Sequence, residues 1–122
     1  MKIVFASRNE GKVKEIRAML QEIDVKLVSL NNYDNAPEIV EDGGNFLENA
    51  LKKAKIVSEF TGETVLADDS GLQVDVLGGE PGIYSSRYAG ENATDEENIN
   101  KLLAKLRDIP QKKRSAFFCC VL

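Results

Sequence analysis

Histidine is absent from all 122 residues, which excludes a histidine general base, a histidine-activated nucleophile and the usual histidine-containing zinc sites. Cysteine is scarce. The only two, Cys119 and Cys120, sit side by side in an apolar run and read as packing, not as a disulfide framework or a metal site. A reducing, cytoplasmic setting fits that usage. No apolar run reaches the length of a signal-peptide core or a membrane span, and the opening MKIVFASRN carries only a short one. Basic residues are outnumbered, 16 Lys plus Arg against 20 Asp plus Glu, so a net charge of -4 offers no broad positive field to a duplex polyanion. Nucleic acid and membrane are therefore not expected partners, and any catalysis must run on carboxylates and cations.

What is present is ordinary globular material: 43% hydrophobic and 30% charged residues, enough for one α/β domain spanning 1–122. Ile3 to Ala6 is an unbroken apolar run, as in a strand covered on both faces. Val13, Ile16, Met19, Leu20 and Ile23 then recur at helical spacing, so a helix with one buried face follows from Lys12. Val25 to Leu30 reads as a second strand, which makes a βαβ unit and predicts a parallel sheet. Asn31 to Gly44, polar and broken by Pro37 and Gly43-Gly44, reads as a surface loop. Phe46, Leu47, Ala50, Ala54, Val57 and Phe60 predict a second amphipathic helix that Gly62 ends in a left-handed turn.

Thr64 to Ala67 predicts a short strand stopped by Asp68 and Asp69, and Leu72, Val74 and Val76 alternate like a further strand, with Ser70-Gly71 as the turn between them. Gly78 to Gly90 is a glycine- and tyrosine-rich loop. Thr94 and Glu97 have capping-box spacing, and Ile99, Leu102, Leu103 and Leu106 supply the buried face of a third helix, with Pro110 beyond its end. Ala116 to Leu122 is a strongly apolar strand. Ending such a strand on a charged carboxylate is costly, which predicts that the natural protein continues.

Three groups of residues suit chemistry. The loop Ser7-Arg8-Asn9-Glu10-Gly11-Lys12 joins a buried strand to a helix, so free N–H groups and the helix dipole face one spot, where Arg8 and Lys12 add charge and Ser7 and Asn9 add donors. That spot suits phosphate, although neither P-loop nor dinucleotide spacing is present, and a simple helix cap explains Ser7 and Asn9 equally. Asp68 and Asp69 follow a buried strand, at the end where ligands bind in open α/β sheets if the strands are parallel; an Asx turn explains one of them without function. Glu15, Glu41, Asp42 and Glu48 are solvated surface acids on the plainest reading. If several carboxylates instead converge near a phosphate, a hard divalent cation such as Mg²⁺ must neutralise them.

Taken in order, the segments Ser7-x-Asn9-x-x-Lys12-x-x-Glu15, Glu41-Asp-Gly43-x-x-Phe46-x-Glu48-Asn49-Ala50-x-x-Lys53-Ala54 and Ala67-Asp68-Asp69-Ser70-Gly71-Leu72 resemble the inosine triphosphate pyrophosphatase family. Val74-Asp75, Gly78-Gly79, Pro81-Gly82-Ile83-Tyr84-Ser85-x-Arg87-Tyr88 and Ala116-Phe117 extend the resemblance over nearly the whole chain. It implies an elongated α/β fold with a mixed central sheet flanked by helices, and hydrolysis of noncanonical purine nucleoside triphosphates such as ITP, dITP and XTP to monophosphate and pyrophosphate. It implies that Ser7, Arg8, Asn9, Glu10, Gly11 and Lys12 contact phosphate, and that Asp69 is the catalytic base and a Mg²⁺ ligand. Glu41 becomes the second acidic metal contact, Ser70 a substrate contact, and Lys53 a further motif residue on the substrate. A homodimer is implied as well. The Gly82–Tyr88 loop has residue types suited to its contact, and equally suited to covering the chain's own core. The sequence departs from the family by lacking the later Phe-Gly-Tyr-Asp-Pro and Ser-His-Arg motifs, so the domain is expected to lack its C-terminal part. Asn45 also replaces a threonine at a helix start. From the residues alone, a nucleotide-binding or dimerisation module and a different α/β phosphohydrolase stay open.

Overall fold

The computed structural model describes residues 1–122. They divide into two compact units, 1–68 with Leu122, and 69–121. The first unit is a three-stranded parallel sheet in the order β2-β1-β3, with β1 Lys2–Phe5, β2 Lys26–Ser29 and β3 Thr64–Leu66. Alternation along β1 and its extension sends successive side chains to opposite faces. Val4 and Ala6 join Leu30, Val57 and Ala67 in one cluster, while Phe5 joins Val13 and Leu27 in another. Val57 lies on helix α2, Phe46–Thr61, and Val13 on helix α1, Glu10–Met19, so each helix covers one face of the sheet. That double cover is why β1 reads as an uninterrupted apolar run.

Both helices begin on an asparagine. The Asn9 side chain accepts from the Lys12 N–H at 3.2 Å, and that of Asn45 accepts from the Glu48 N–H at 2.8 Å. Gly62 closes α2 in the left-handed region at φ 70°. Helix α1 ends earlier than its apolar spacing suggests, with Leu20 as C-cap, and Ile23 lies beyond it.

In the second unit β4, Asp69–Val74, pairs antiparallel with β5, Ala116–Val121, in the register Gly71 to Cys119. Parallel and antiparallel pairings thus both occur, in separate sheets. Ser70-Gly71 forms no turn and lies inside β4. The glycine is needed there for close approach: a Cβ on Gly71 would overlap the Gly82 carbonyl oxygen and come within 2.6 Å of Ser85 Oγ. Ser85 belongs to a 3₁₀ segment, Gly82–Arg87, that packs on β4, and its hydroxyl accepts from the Leu72 N–H at 2.9 Å while donating to the Gly82 carbonyl at 2.7 Å.

Helix α3, Asp95–Lys105, starts with the full capping box of Thr94 and Glu97. Its apolar face is only partly covered: Leu106 is buried, whereas Ile99 and Leu103 are 54% and 52% exposed. No helix is long and apolar enough to cross a membrane.

Candidate active site

The parallel strands deliver the site. β1 ends at Phe5 and β3 at Leu66, so Ser7 and Asp68 both emerge at the carboxyl end of the sheet, where such folds place ligands. Beside them the first unit holds a cavity of about 620 Å³, within the range of small-molecule sites. Its walls carry three cations, Arg8, Lys12 and Lys53, and three carboxylates, Glu38, Glu41 and Asp68, set among apolar Leu30, Pro37 and Ile39.

Within this cavity two of the cations are paired with carboxylates. Lys12 Nζ lies 2.8 Å from Asp68 Oδ2, and Lys53 Nζ lies 3.3 Å from Glu41 Oε1. Asp68 is only 5% exposed and Lys53 only 8%, so each buried charge has a counter-ion, as the desolvation cost of an isolated ion requires. Asp68 directly follows the apolar Ala67, which sits in the Val4–Val57 cluster.

The Ser7–Lys12 loop turns out to be both a cap and a wall. Ser7, Arg8, Asn9 and Lys12 line the cavity, while the Ser7 hydroxyl accepts from the Asn9 N–H at 3.1 Å and Asn9 caps α1. Arg8 is held by the Ala36 carbonyl at 3.0 Å. Glu10 and Gly11 are placed differently, at the first turn of α1 and outside the cavity lining. The Glu10 carboxylate accepts from Asn31 at 2.6 Å and Ser29 at 3.1 Å. Those bonds, Asn31 first, hold its pKa below the ordinary 4.5.

Glu41 reaches the cavity from the loop before α2 and Lys53 from that helix's buried face. Asp69 follows Asp68 in the chain and opens β4, where it is buried opposite Val121; Ser70, half-buried, stands opposite Cys120. No group of three or more carboxylate, thiol or imidazole ligands is gathered anywhere in the chain. Sequence reasoning assigned no role to Glu38 or Asn49. Glu38 gave no signal in its polar loop. Asn49 did: it is a polar residue on the stripe otherwise made of Phe46, Ala50 and Val57.

A family model described as the Ham1 family matches residues 3–122. The chain belongs to the Ham1 family. A curated relative from Geobacter sulfurreducens, named dITP/XTP pyrophosphatase, is 50% identical over 121 residues, which cover 99% of this chain and 61% of the relative. One of the same name from Vibrio cholerae is 50% identical, with 99% and 60% covered. Among solved structures, a HAM1 protein from Coxiella burnetii superposes with a TM-score of 0.89 at 43% identity, over 99% of this chain and 61% of that one. The Staphylococcus aureus Ham1 protein gives 0.83 at 42% identity, over 98% and 60%. The chain therefore spans about three fifths of the length of the Ham1 relatives it matches.

Proposed function

We propose that the whole protein containing this chain hydrolyses noncanonical purine nucleoside triphosphates, ITP, dITP and XTP, to the monophosphate and pyrophosphate. The observation that carries this reading is the mixed charge of the cavity. A site for bare phosphate needs cations alone, whereas three cations beside three carboxylates suit a polyphosphate that arrives with a divalent metal. The names of the Ham1 relatives give the same reaction class.

The donors fit Mg²⁺. It prefers hard oxygens in octahedral geometry and is held by one or two carboxylates plus substrate phosphates, not by a full protein cage. Glu41, half-buried on the cavity wall, and buried Asp69, which follows the wall's Asp68 in the chain, are two hard carboxylates of the kind that demand calls for, with no larger cluster beside them. Glu41 and Asp69 are the ligands we assign. When bound, Mg²⁺ would neutralise phosphate charge and make a bound water more acidic.

The remaining roles fall to this chain's own groups. Asp69 orients the attacking water and takes its proton, which needs no histidine once the water is acidified. Lys12 and Arg8, with the Ser7 and Asn9 donors, hold the triphosphate and stabilise the departing pyrophosphate. Lys53 and Ser70 complete the substrate contacts. The protein acts as a homodimer through the Gly82–Tyr88 loop. Within that loop Tyr88 is buried and donates to Glu80 at 2.9 Å, while Tyr84 points outward under the Arg87 guanidinium, 5.1 Å from its ring. An exposed Tyr–Arg stack supports an interface anchor.

The test is turnover of ITP, dITP and XTP against ATP and GTP by the whole protein in Mg²⁺. Preference for the first three is expected; equal turnover of all five, or tight binding with none, would contradict the reading.

A further inference from the structure

Asn49 is fully buried in the first half of α2, on the face that also carries Phe46, Ala50, Lys53 and Val57. A carboxamide in that position is costly unless it is hydrogen-bonded, and an apolar residue would pack there without that demand. Its Oδ1 accepts from the backbone N–H of Gly43 at 2.8 Å. Gly43 is fitted to the same contact: a Cβ there would lie 2.7 Å from Asn49 Oδ1 and 2.8 Å from Glu48 Cβ. The backbone is thus pressed directly onto the helix, and neither residue can change without moving the other.

Two residues before Gly43 stands Glu41, and one helical turn after Asn49 stands Lys53, the pair that meets at 3.3 Å in the cavity. The exposed contacts nearby, Gly44 N–H to Glu48 at 2.6 Å and the Asn45 cap, satisfy the helix end. The Asn49 bond to Gly43 ties the loop to the buried face on which Lys53 lies. We propose that Asn49 and Gly43 form a latch that sets the Glu41 carboxylate over Lys53, making Asn49 a positioning residue of the site. Its consequence for catalysis rests on the assignment of Glu41 as a metal contact; the latch itself does not.

The latch is tested on the 122-residue chain. Trace acylation of lysines, read by mass spectrometry, should find Lys53 protected relative to exposed Lys14 and Lys55. Gly43→Ala and Asn49→Ala should each raise Lys53 reactivity about fivefold, the worth of one net hydrogen bond. Glu41→Gln should do the same, and combining it with Gly43→Ala should add nothing. Unchanged reactivity in both single variants, or additive effects with Glu41→Gln, would overturn the latch. Hydrogen exchange of the Gly43 amide in the unaltered chain guards against variants that fail to fold, since exchange at the free-peptide rate would overturn it equally. In the whole protein, Gly43→Ala should raise the Mg²⁺ concentration for half-maximal turnover while leaving the KM for ITP at saturating Mg²⁺ unchanged. An unmoved Mg²⁺ requirement would overturn the positioning role. Absence of any ITP turnover would count against the proposed function instead, with the lysine chemistry still reporting on the latch.

Discussion

The Lys12–Asp68 pair should be asymmetric when it is broken. At 2.8 Å, with Asp68 almost wholly buried and the Lys12 side chain 37% exposed, the two partners stand in different surroundings. Removing the lysine, as Lys12→Met, strands a buried carboxylate. Breaking a fully buried pair costs about 3–5 kcal/mol, but an open cavity wall lets water reach Asp68, so the loss should be about 2 kcal/mol. Removing the acid, as Asp68→Asn, leaves a lysine that can turn to solvent, and the cost should stay under about 1 kcal/mol. The double variant should recover most of the Lys12→Met loss, because the stranded charge is gone. Urea unfolding followed by circular dichroism reads this directly. With an m-value of about 2 kcal/mol/M, Lys12→Met should lower the midpoint by about 1 M and the other two variants by less than half of that. Equal and additive losses for the two single variants would refute the reasoning, since Asp68 would then not depend on Lys12 as its counter-ion.

Other outcomes follow from the same geometry. In the whole protein Asp69→Asn should preserve the fold and lower turnover by about two orders of magnitude or more, and near-normal turnover would remove Asp69 from the mechanism. Because two of the cavity's cations, Lys12 and Lys53, each face a cavity carboxylate, Mg²⁺ and inorganic tripolyphosphate should raise each other's affinity for the 122-residue chain by the same factor, about tenfold, in calorimetry; independent binding would contradict that coupling. The Glu10 carboxyl should titrate below the ordinary 4.5 by carbon-13 NMR. Since its folded pKa is lowered, its tie to Asn31 and Ser29 is kept above the ordinary range and lost as pH falls through the lowered value, and Asn31→Ala should return it upward. Tyr84→Ala should shift the whole protein toward monomer in sedimentation equilibrium with unchanged circular dichroism, and an unaffected dimer would remove that loop from the interface.

Much of the fold was legible because its signals are local. The spacing of Val13 and Ile16, the Asn9 and Asn45 caps, the Thr94–Glu97 box and Gly62 all act within one or two turns of chain, and each element stands where they point. Ser70-Gly71 was misleading because its cause is long-range: the glycine is required by the Gly82 carbonyl that packs against it, not by a turn of its own. On α3 the period identifies which residues share a face, but not how much of that face finds a cover, so Ile99 and Leu103 remain exposed beside buried Leu106. The cavity was legible in part. Ser7, Arg8, Asn9, Lys12, Glu41 and Lys53 line it, whereas Glu10 is drawn off by Asn31 and Ser29, partners more than fifteen residues away that no local pattern reveals.

The proposed reaction is defined by which bond the whole protein breaks. Phosphorus-31 NMR of ITP turned over in Mg²⁺ separates the possibilities in one spectrum: the proposed reaction predicts IMP and pyrophosphate in equal amounts, with no inosine diphosphate at any time. Inosine diphosphate with orthophosphate, or ITP that stays intact while bound, would contradict it.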